Sequence, residues 1–161
     1  MNISQGALYA QYDKALDTWG WIGYVERTKK LPAFLLYAVG SRETNLRNIL
    51  GDGGHGVGIW QRDDRSFKFP GGKDWYLLHP RQQAEDAADL LNANYRALGS
   101  WRDAVSAYNA GVGGVRRVIK KGLPADAATT GGDYSSDVFA RRAVLIAKYG
   151  TASDQSAPRV R

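Results

Sequence analysis

The chain has 161 residues, no cysteine, two histidines and a formal net charge of +6 at pH 7. Such a length fits one domain of about 100 to 200 residues with a real core, and the missing thiols exclude a disulfide scaffold, a thiolate metal site and a cysteine nucleophile. Chemistry without metal or cofactor is therefore expected, and the positive balance should draw long polyanions such as nucleic acid, anionic cell wall or acidic membrane without choosing among them.

In chain order, Ser4 can cap a helix whose apolar residues Leu8, Tyr9, Tyr12, Leu16 and Trp19 recur at helical spacing until Gly20 and Gly23 interrupt it. Pro32 suits the first turn of a second helix, Ala33 to about Glu43, which is apolar almost all round and so expected to be buried. Residues 51–79 are rich in Gly, Asp and aromatics, with a short strand expected at Val57 to Gln61. Pro80 opens a third helix with Ala84, Ala87, Ala88, Leu91 and Tyr95 on one face, and Trp101 to Tyr108, Val112 to Lys121 and Tyr134 to Tyr149 complete the helical set. The expectation is a single, mainly helical α+β domain over 1–150 with a small β or irregular insertion after the second helix, followed by a flexible tail over 151–161.

The longest uncharged apolar stretch, Leu31 to Ser41, is eleven residues. That is far below the roughly 20 needed to span a bilayer, so no stable membrane insertion is expected. The opening MNISQGALYAQYDKA lacks a basic start and places Asp13 where a signal peptide needs an apolar run, which predicts synthesis in the cytoplasm without a leader.

Glutamate is scarce, with Glu26, Glu43 and Glu85 against thirteen aspartates. Glu26 stands in the charged run ERTKK and Glu85 on the polar face of the third helix, so both read as solvated surface groups. Glu43 ends the run FLLYAVGSRE, where apolar surroundings and the helix carboxyl end both disfavour its charge. A carboxyl kept protonated in this way is what general acid catalysis on a leaving oxygen requires. An ordinary ion pair with Arg42 or Arg47 is the alternative.

A glycosidase needs a second carboxylate facing the acid across the bond, and the insertion offers Asp52 in GDGGHGVG and Asp63 in IWQRD, nine and twenty residues after Glu43. Carboxyls about 6.5 to 9.5 Å apart would make the enzyme inverting, and about 5 to 5.5 Å would indicate a covalent intermediate. Both aspartates are also ordinary turn formers. Gly51, Gly53 and Gly56 fit G-x-G-x-x-G, yet no strand precedes them and no helix follows, so a dinucleotide site lacks its context. His55 and His79, 24 residues apart, make no zinc pair. Ser106 to Gly111, SAYNAG, ends a short helix; Tyr108 and Asn109 can offer a ring face and an amide to sugars, or simply form a helix end with a packed tyrosine.

Five motifs then occur in order: Gly40-Ser41-Arg42-Glu43-Thr44, Gly51-Asp52-x-Gly-x-Gly-Val-Gly58, Gln61-x-Asp63-x-Arg65-Ser66, Ser106 to Gly111, and Asp133-Tyr134-x-x-Asp137-Val138-x-Ala140-Arg141. Over roughly residues 30 to 150 this closely resembles the goose-type lysozymes and their phage endolysin and lytic transglycosylase relatives. The resemblance implies a lysozyme-like fold with a small sheet beside a substrate cleft. It also implies cleavage of the β-1,4 bond between N-acetylmuramic acid and N-acetylglucosamine in bacterial peptidoglycan without a cofactor, and nothing in the sequence demands more than a monomer. Glu43 falls on the family's catalytic acid, Asp63 on the aspartate that orients water, and Asp52 on a second aspartate sharing that task. Tyr108, Asn109, Tyr134 and Gln61 fall among substrate-contacting positions, and Phe67 replaces the family's histidine with an aromatic ring.

The absence of disulfides fits a microbial or phage protein made in the cytoplasm and released to act on the wall. Two readings stay beside hydrolysis. A lytic transglycosylase would use Glu43 as acid and then base to leave 1,6-anhydro ends, and such enzymes generally lack the second carboxylate. A non-catalytic module would bind wall glycan or nucleic acid; base stacking needs aromatics grouped with cations, whereas several aromatics here fall on apolar helix stripes.

Overall fold

The structure, a computed structural model, describes residues 1–151 and residue 154, so the expected tail over 151–161 lies almost wholly outside the described residues. Among those residues the chain forms seven α-helices and one three-stranded antiparallel sheet, the mainly helical α+β arrangement expected. Its contacts group into an amino-terminal unit, Ile3–Ala88, and a carboxy-terminal unit, Asp89–Arg161 with Met1–Asn2.

In the amino-terminal unit, α1 (Gln5–Thr18) starts where Ser4 Oγ accepts the Ala7 N–H, and it buries Leu8, Tyr12 and Ala15. A short helix unforeseen in the sequence, α2 (Ile22–Thr28), follows and buries Ile22, Val25 and Glu26. Glu26 is 4% exposed, which overturns its reading as a solvated group. Its carboxylate accepts the N–H groups of Phe34 (3.2 Å) and Leu36 (2.7 Å), so it caps the next helix, α3 (Leu35–Thr44), from eight residues upstream. A carboxylate at a helix amino end satisfies donors with no intrahelical partner and meets the positive end of the dipole. Phe34 is left-handed at φ 65°, which places the start of α3 two residues later than the sequence pattern suggests.

Helix α3 is buried nearly throughout, from Leu35 to Ser41, as its unbroken apolar run demands. Its Tyr37 packs with Phe34 and with Tyr12 of α1 as a tilted aromatic group. Beyond α3 come β1 (Leu50–Gly51), β2 (Gly56–Val57) and β3 (Arg62–Asp63). They pair in that order, with Gly51 opposite Gly56 and Gly56 opposite Asp63. The expected strand Val57 to Gln61 is thus corrected: Val57 ends β2, and Gly58 (φ 86°) and Gln61 (φ 50°) turn the chain so that Ile59 and Trp60 point into the core. A second unforeseen helix, α4 (Gly72–Leu77), packs Tyr76 with Phe69 and Val57.

Helix α5 (Pro80–Leu98) runs from the first unit into the second. In the carboxy-terminal unit, α6 (Trp101–Lys120) is interrupted at Gly111 (φ 76°, ψ 153°), the point where the sequence separates two helical runs. A short core of Ala107, Val115 and Ala125 joins α6 to the following 3-10 turn. Helix α7 (Tyr134–Tyr149) completes the unit, and Asp126 anchors its start by accepting the N–H groups of Ser135 (2.8 Å) and Ser136 (3.0 Å).

Candidate functional site

Glu43 is half-buried on the last turn of α3, next to Thr44. The helix stops there because Asn45 and Leu46, both left-handed at φ 55°, fold back so that their N–H groups reach the carbonyls of Ser41 and Gly40. Thr44 Oγ1 lies 2.8 Å from the Ile59 carbonyl, to which it donates, and it accepts the Arg47 N–H at 3.0 Å. Deeper along α3, Trp60 Nε1 donates to the Leu36 carbonyl at 2.8 Å. The Thr44 bond therefore fixes the carboxyl-terminal turn of α3, with Glu43 on it, to the turn between β2 and β3, and the Trp60 bond fixes the first turn of the same helix to it. Gly40 permits this approach, since a Cβ there would lie 2.7 Å from Leu46 and 3.1 Å from Trp60 Nε1.

The hairpin is itself held by two side-chain amides, Gln61 half-buried and Gln83 buried. Gln61 Nε2 donates to the carbonyls of Ile49 (3.0 Å) and Gly58 (2.8 Å), so this candidate sugar contact braces the loop from within. Its Oε1 rests against Gly51 and Gly56, where an added Cβ would come within 2.2 Å. Gln83 on α5 accepts the Ile59 N–H at 3.0 Å and donates to Asn48 Oδ1 (3.0 Å) and the Tyr76 carbonyl (2.8 Å). Nothing in the polar spacing of α5 marks Gln83 for this role.

Asp52 and Asp63 are brought together by a residue to which the sequence pattern assigned no task. The Arg65 guanidinium pairs with both carboxylates, and its Nε and backbone N–H each donate to Asp63 Oδ1 at 2.8 Å. The side-chain hydrogen bond from Arg65, more than any other contact, holds the Asp63 carboxyl down to about 2, and the Arg65 guanidinium is in turn pushed further up by both aspartates. The Asp-x-Arg spacing in a tight turn is the sequence signal for half of this clamp, because an aspartate readily bonds the backbone two residues on. Beside it, Asp64 pairs with Lys73 and lies 2.8 Å from His55 Nδ1, and the Lys73 hydrogen bond followed by that of His55 lowers its carboxyl. His55 is thus engaged by Asp64, and among the described residues no group of three or more His, Cys, Asp or Glu is arranged to hold a metal.

Phe67 is half-buried against Phe69 and Tyr76, with the Arg62 guanidinium 4.1 Å above its ring. In the carboxy-terminal unit, Tyr108 is half-buried and Asn109 exposed on α6, just before the Gly111 break. Asn109 Oδ1 accepts the Thr130 N–H at 2.9 Å, while Thr129 Oγ1 lies 3.4 Å from the Tyr134 N, so Asn109 and Tyr134 are gathered on one loop. Tyr134 is only 2% exposed at the start of α7. Glu43, Asp52, Asp63, Gln61 and Phe67 belong to the amino-terminal unit and Tyr108, Asn109 and Tyr134 to the other.

A half-buried carboxyl at a helix end, fixed to a hairpin that carries two arginine-bridged aspartates, has the parts for acid-assisted cleavage of an acetal bond. The family described as Transglycosylase SLT domain matches residues 21–128. Lysozyme g of Struthio camelus is 37% identical over 111 residues, covering 63% of this chain and 52% of that protein. Lysozyme g of Gallus gallus is 37% identical over 112 residues, 63% of this chain and 50% of its own. The "Glycine, glutamate and proline-rich protein" of Lottia gigantea is 35% identical over 137 residues, 72% of this chain and 31% of its own. The chain spans about half the length of the lysozyme g relatives it matches.

Proposed function

The chain belongs to the Transglycosylase SLT domain family, and from that premise we propose that it cleaves the β-1,4 bond between N-acetylmuramic acid and N-acetylglucosamine in bacterial peptidoglycan by hydrolysis. The observation that carries this reading is the Arg65-bridged pair Asp52 and Asp63, on the hairpin to which Thr44, the neighbour of Glu43, is hydrogen-bonded. Glu43 gives its proton to the glycosidic oxygen as the bond to the anomeric carbon breaks. Positive charge then develops on the sugar ring, and the Asp63 carboxylate favours it through space. A water held by Asp63, with Asp52 beside it, adds to the anomeric carbon and passes its proton to solvent, from which Glu43 regains the proton it gave to the leaving oxygen. Because Arg65 keeps Asp63 so acidic, its contribution is orientation and negative field more than strong proton abstraction. Tyr108, Asn109, Tyr134, Gln61 and Phe67 are the proposed sugar-side contacts and supports.

The description of the matched family favours a second reading, in which Glu43 acts alone as acid and base and the muramyl hydroxyl replaces water. Mass spectrometry of fragments released from purified peptidoglycan, with Glu43→Gln as control, separates the two. Reducing muramic acid ends that vanish in Glu43→Gln support hydrolysis. Anhydro ends, lighter by one water, establish the transglycosylase, and no fragments at all from the unaltered protein overturn both.

A further inference from the structure

The carboxyl half of α6 carries a feature that glycan cleavage does not use. From residue 104 to residue 125 the sequence holds no carboxylate, yet Arg116, Arg117, Lys120 and Lys121 fall within six residues. All four are exposed. Val115 is fully buried and Val118 half-buried, so this stretch of α6 turns one stripe inward. At 100° per residue, Ile119, Arg116, Lys120, Arg117 and Lys121 follow one another around the solvent-facing side. Ile119 is 42% exposed and Leu123 49% exposed.

The arrangement is rigid. Gly122 (φ 75°) closes the helix, with its N–H on the Ile119 carbonyl (2.9 Å) and the Leu123 N–H on the Val118 carbonyl (3.0 Å). These are the two bonds of a Schellman ending, and they hold Leu123 at the end of the helix instead of letting it trail into solvent. Arg116 also donates to the Ala97 carbonyl at 3.2 Å, which fixes its stem to the end of α5. One or two cations would suit the helix carboxyl end. Four cations with two exposed aliphatic side chains, and no acid between residues 104 and 125 to balance them, exceed that need.

We propose that this face, Arg116 to Leu123, docks on the surface of an anionic phospholipid bilayer, the cations meeting phosphate headgroups while Ile119 and Leu123 enter the boundary with the acyl chains. Charge complementarity selects an anionic surface, and the paired aliphatic residues select a lipid over a soluble phosphate polymer, which offers them nothing. The contact is peripheral, since no described helix is long and apolar enough to cross a membrane.

Co-sedimentation of the whole protein with vesicles of phosphatidylcholine, alone or doped with phosphatidylglycerol, tests this. Binding is expected only to the doped vesicles and is expected to weaken with salt. Lys120→Gln with Lys121→Gln should lower the partition coefficient by roughly thirtyfold, and Ile119→Ser with Leu123→Ser by roughly threefold or more. Unaltered far-ultraviolet circular dichroism and unaltered cleavage of soluble peptidoglycan fragments confirm that each variant is folded, and keep this result separate from that of the proposed catalysis. Failure of the unaltered protein to bind doped vesicles overturns the proposal, as does an unchanged partition in the lysine variant. An unchanged partition in the Ile119/Leu123 variant, together with full competition by soluble polyphosphate, also overturns it and assigns the cations to a phosphate polymer.

Discussion

Replacing Glu26 with alanine should destabilise the protein far more than its place in the run ERTKK suggests. The carboxylate accepts two buried N–H groups, from Phe34 and Leu36, at the amino end of the helix that carries Glu43. A buried donor left without a partner costs about 1–3 kcal/mol, and loss of a negative charge from a helix amino end about 0.3–1 kcal/mol more. Removing a buried charge recovers part of this desolvation. The net expectation is about 2–4 kcal/mol, which at about 2–4 °C per kcal/mol lowers the melting temperature by about 4–16 °C. Urea unfolding with an unchanged m-value, checked by calorimetry, measures it. Glu26→Gln keeps one acceptor oxygen and should lose about half as much. A loss below about 0.5 kcal/mol for the alanine variant, the range of ordinary surface substitutions, would refute the capping role and return Glu26 to the solvent.

Arg65→Gln releases Asp63, whose carboxyl is held down to about 2 chiefly by that guanidinium, and lets it rise toward the ordinary value near 3.9. The ratio of variant to unaltered kcat/KM should be flat above about pH 5 and fall as pH drops toward 3.5; parallel profiles would sink the clamp. Gly58→Ala forces a Cβ into φ 86° and to 2.3 Å from Gln83 Oε1, which is itself held on the Ile59 N–H. We expect a stability loss of about 2–4 kcal/mol by thermal denaturation, and a loss under about 1 kcal/mol would mean that Gln83 yields. Burial by itself would raise the Asp126 carboxyl, but the Ser135 N–H, the Ser106 hydroxyl and the Ser136 N–H outweigh it and hold the group below its ordinary value. A lowered carboxyl stabilises above its unfolded value and loses that contribution as pH falls below about 3.9. Stability of the unaltered protein should therefore drop more steeply from pH 5 to 3 than that of Asp126→Asn, and equal slopes in urea titrations would refute the sign.

Where the determinants are local, the sequence was readable. Ser4 as a cap, Pro80 opening α5, the Gly111 break and the bounds Tyr134–Tyr149 each depend on residues within one turn of the feature. The five ordered motifs likewise sufficed to read kinship with goose-type lysozymes and their transglycosylase relatives, which the matched family and the lysozyme g identities bear out. Val57 to Gln61 misled because its residues favour a strand while Gly58 and Gln61 adopt left-handed angles that the turn requires. Those angles are sustained by partners elsewhere: the Gly58 and Ile49 carbonyls for Gln61, and Gln83, 24 residues on, for the Ile59 N–H.

The same physics explains why charge patterns misread Glu26 and passed over Arg65. A carboxylate in a run of cations looks solvated until a helix begins eight residues later and points its free N–H groups at it. An arginine two residues after Asp63 looks like a turn residue until Asp52, thirteen residues earlier, folds onto the same guanidinium nitrogen. Each of these groups gains its role only when non-local pairing supplies the second partner, and that pairing is what spacing along the chain does not encode. The chemical groups of the candidate site were therefore legible as a set, whereas the buried polar contacts through Glu26, Thr44, Gln61 and Gln83 that fix α3 and the hairpin had to come from the folded chain. It follows that substitutions at these four supports should act on the proposed cleavage through the placement of Glu43, Asp52 and Asp63, although none of the four need touch the sugar.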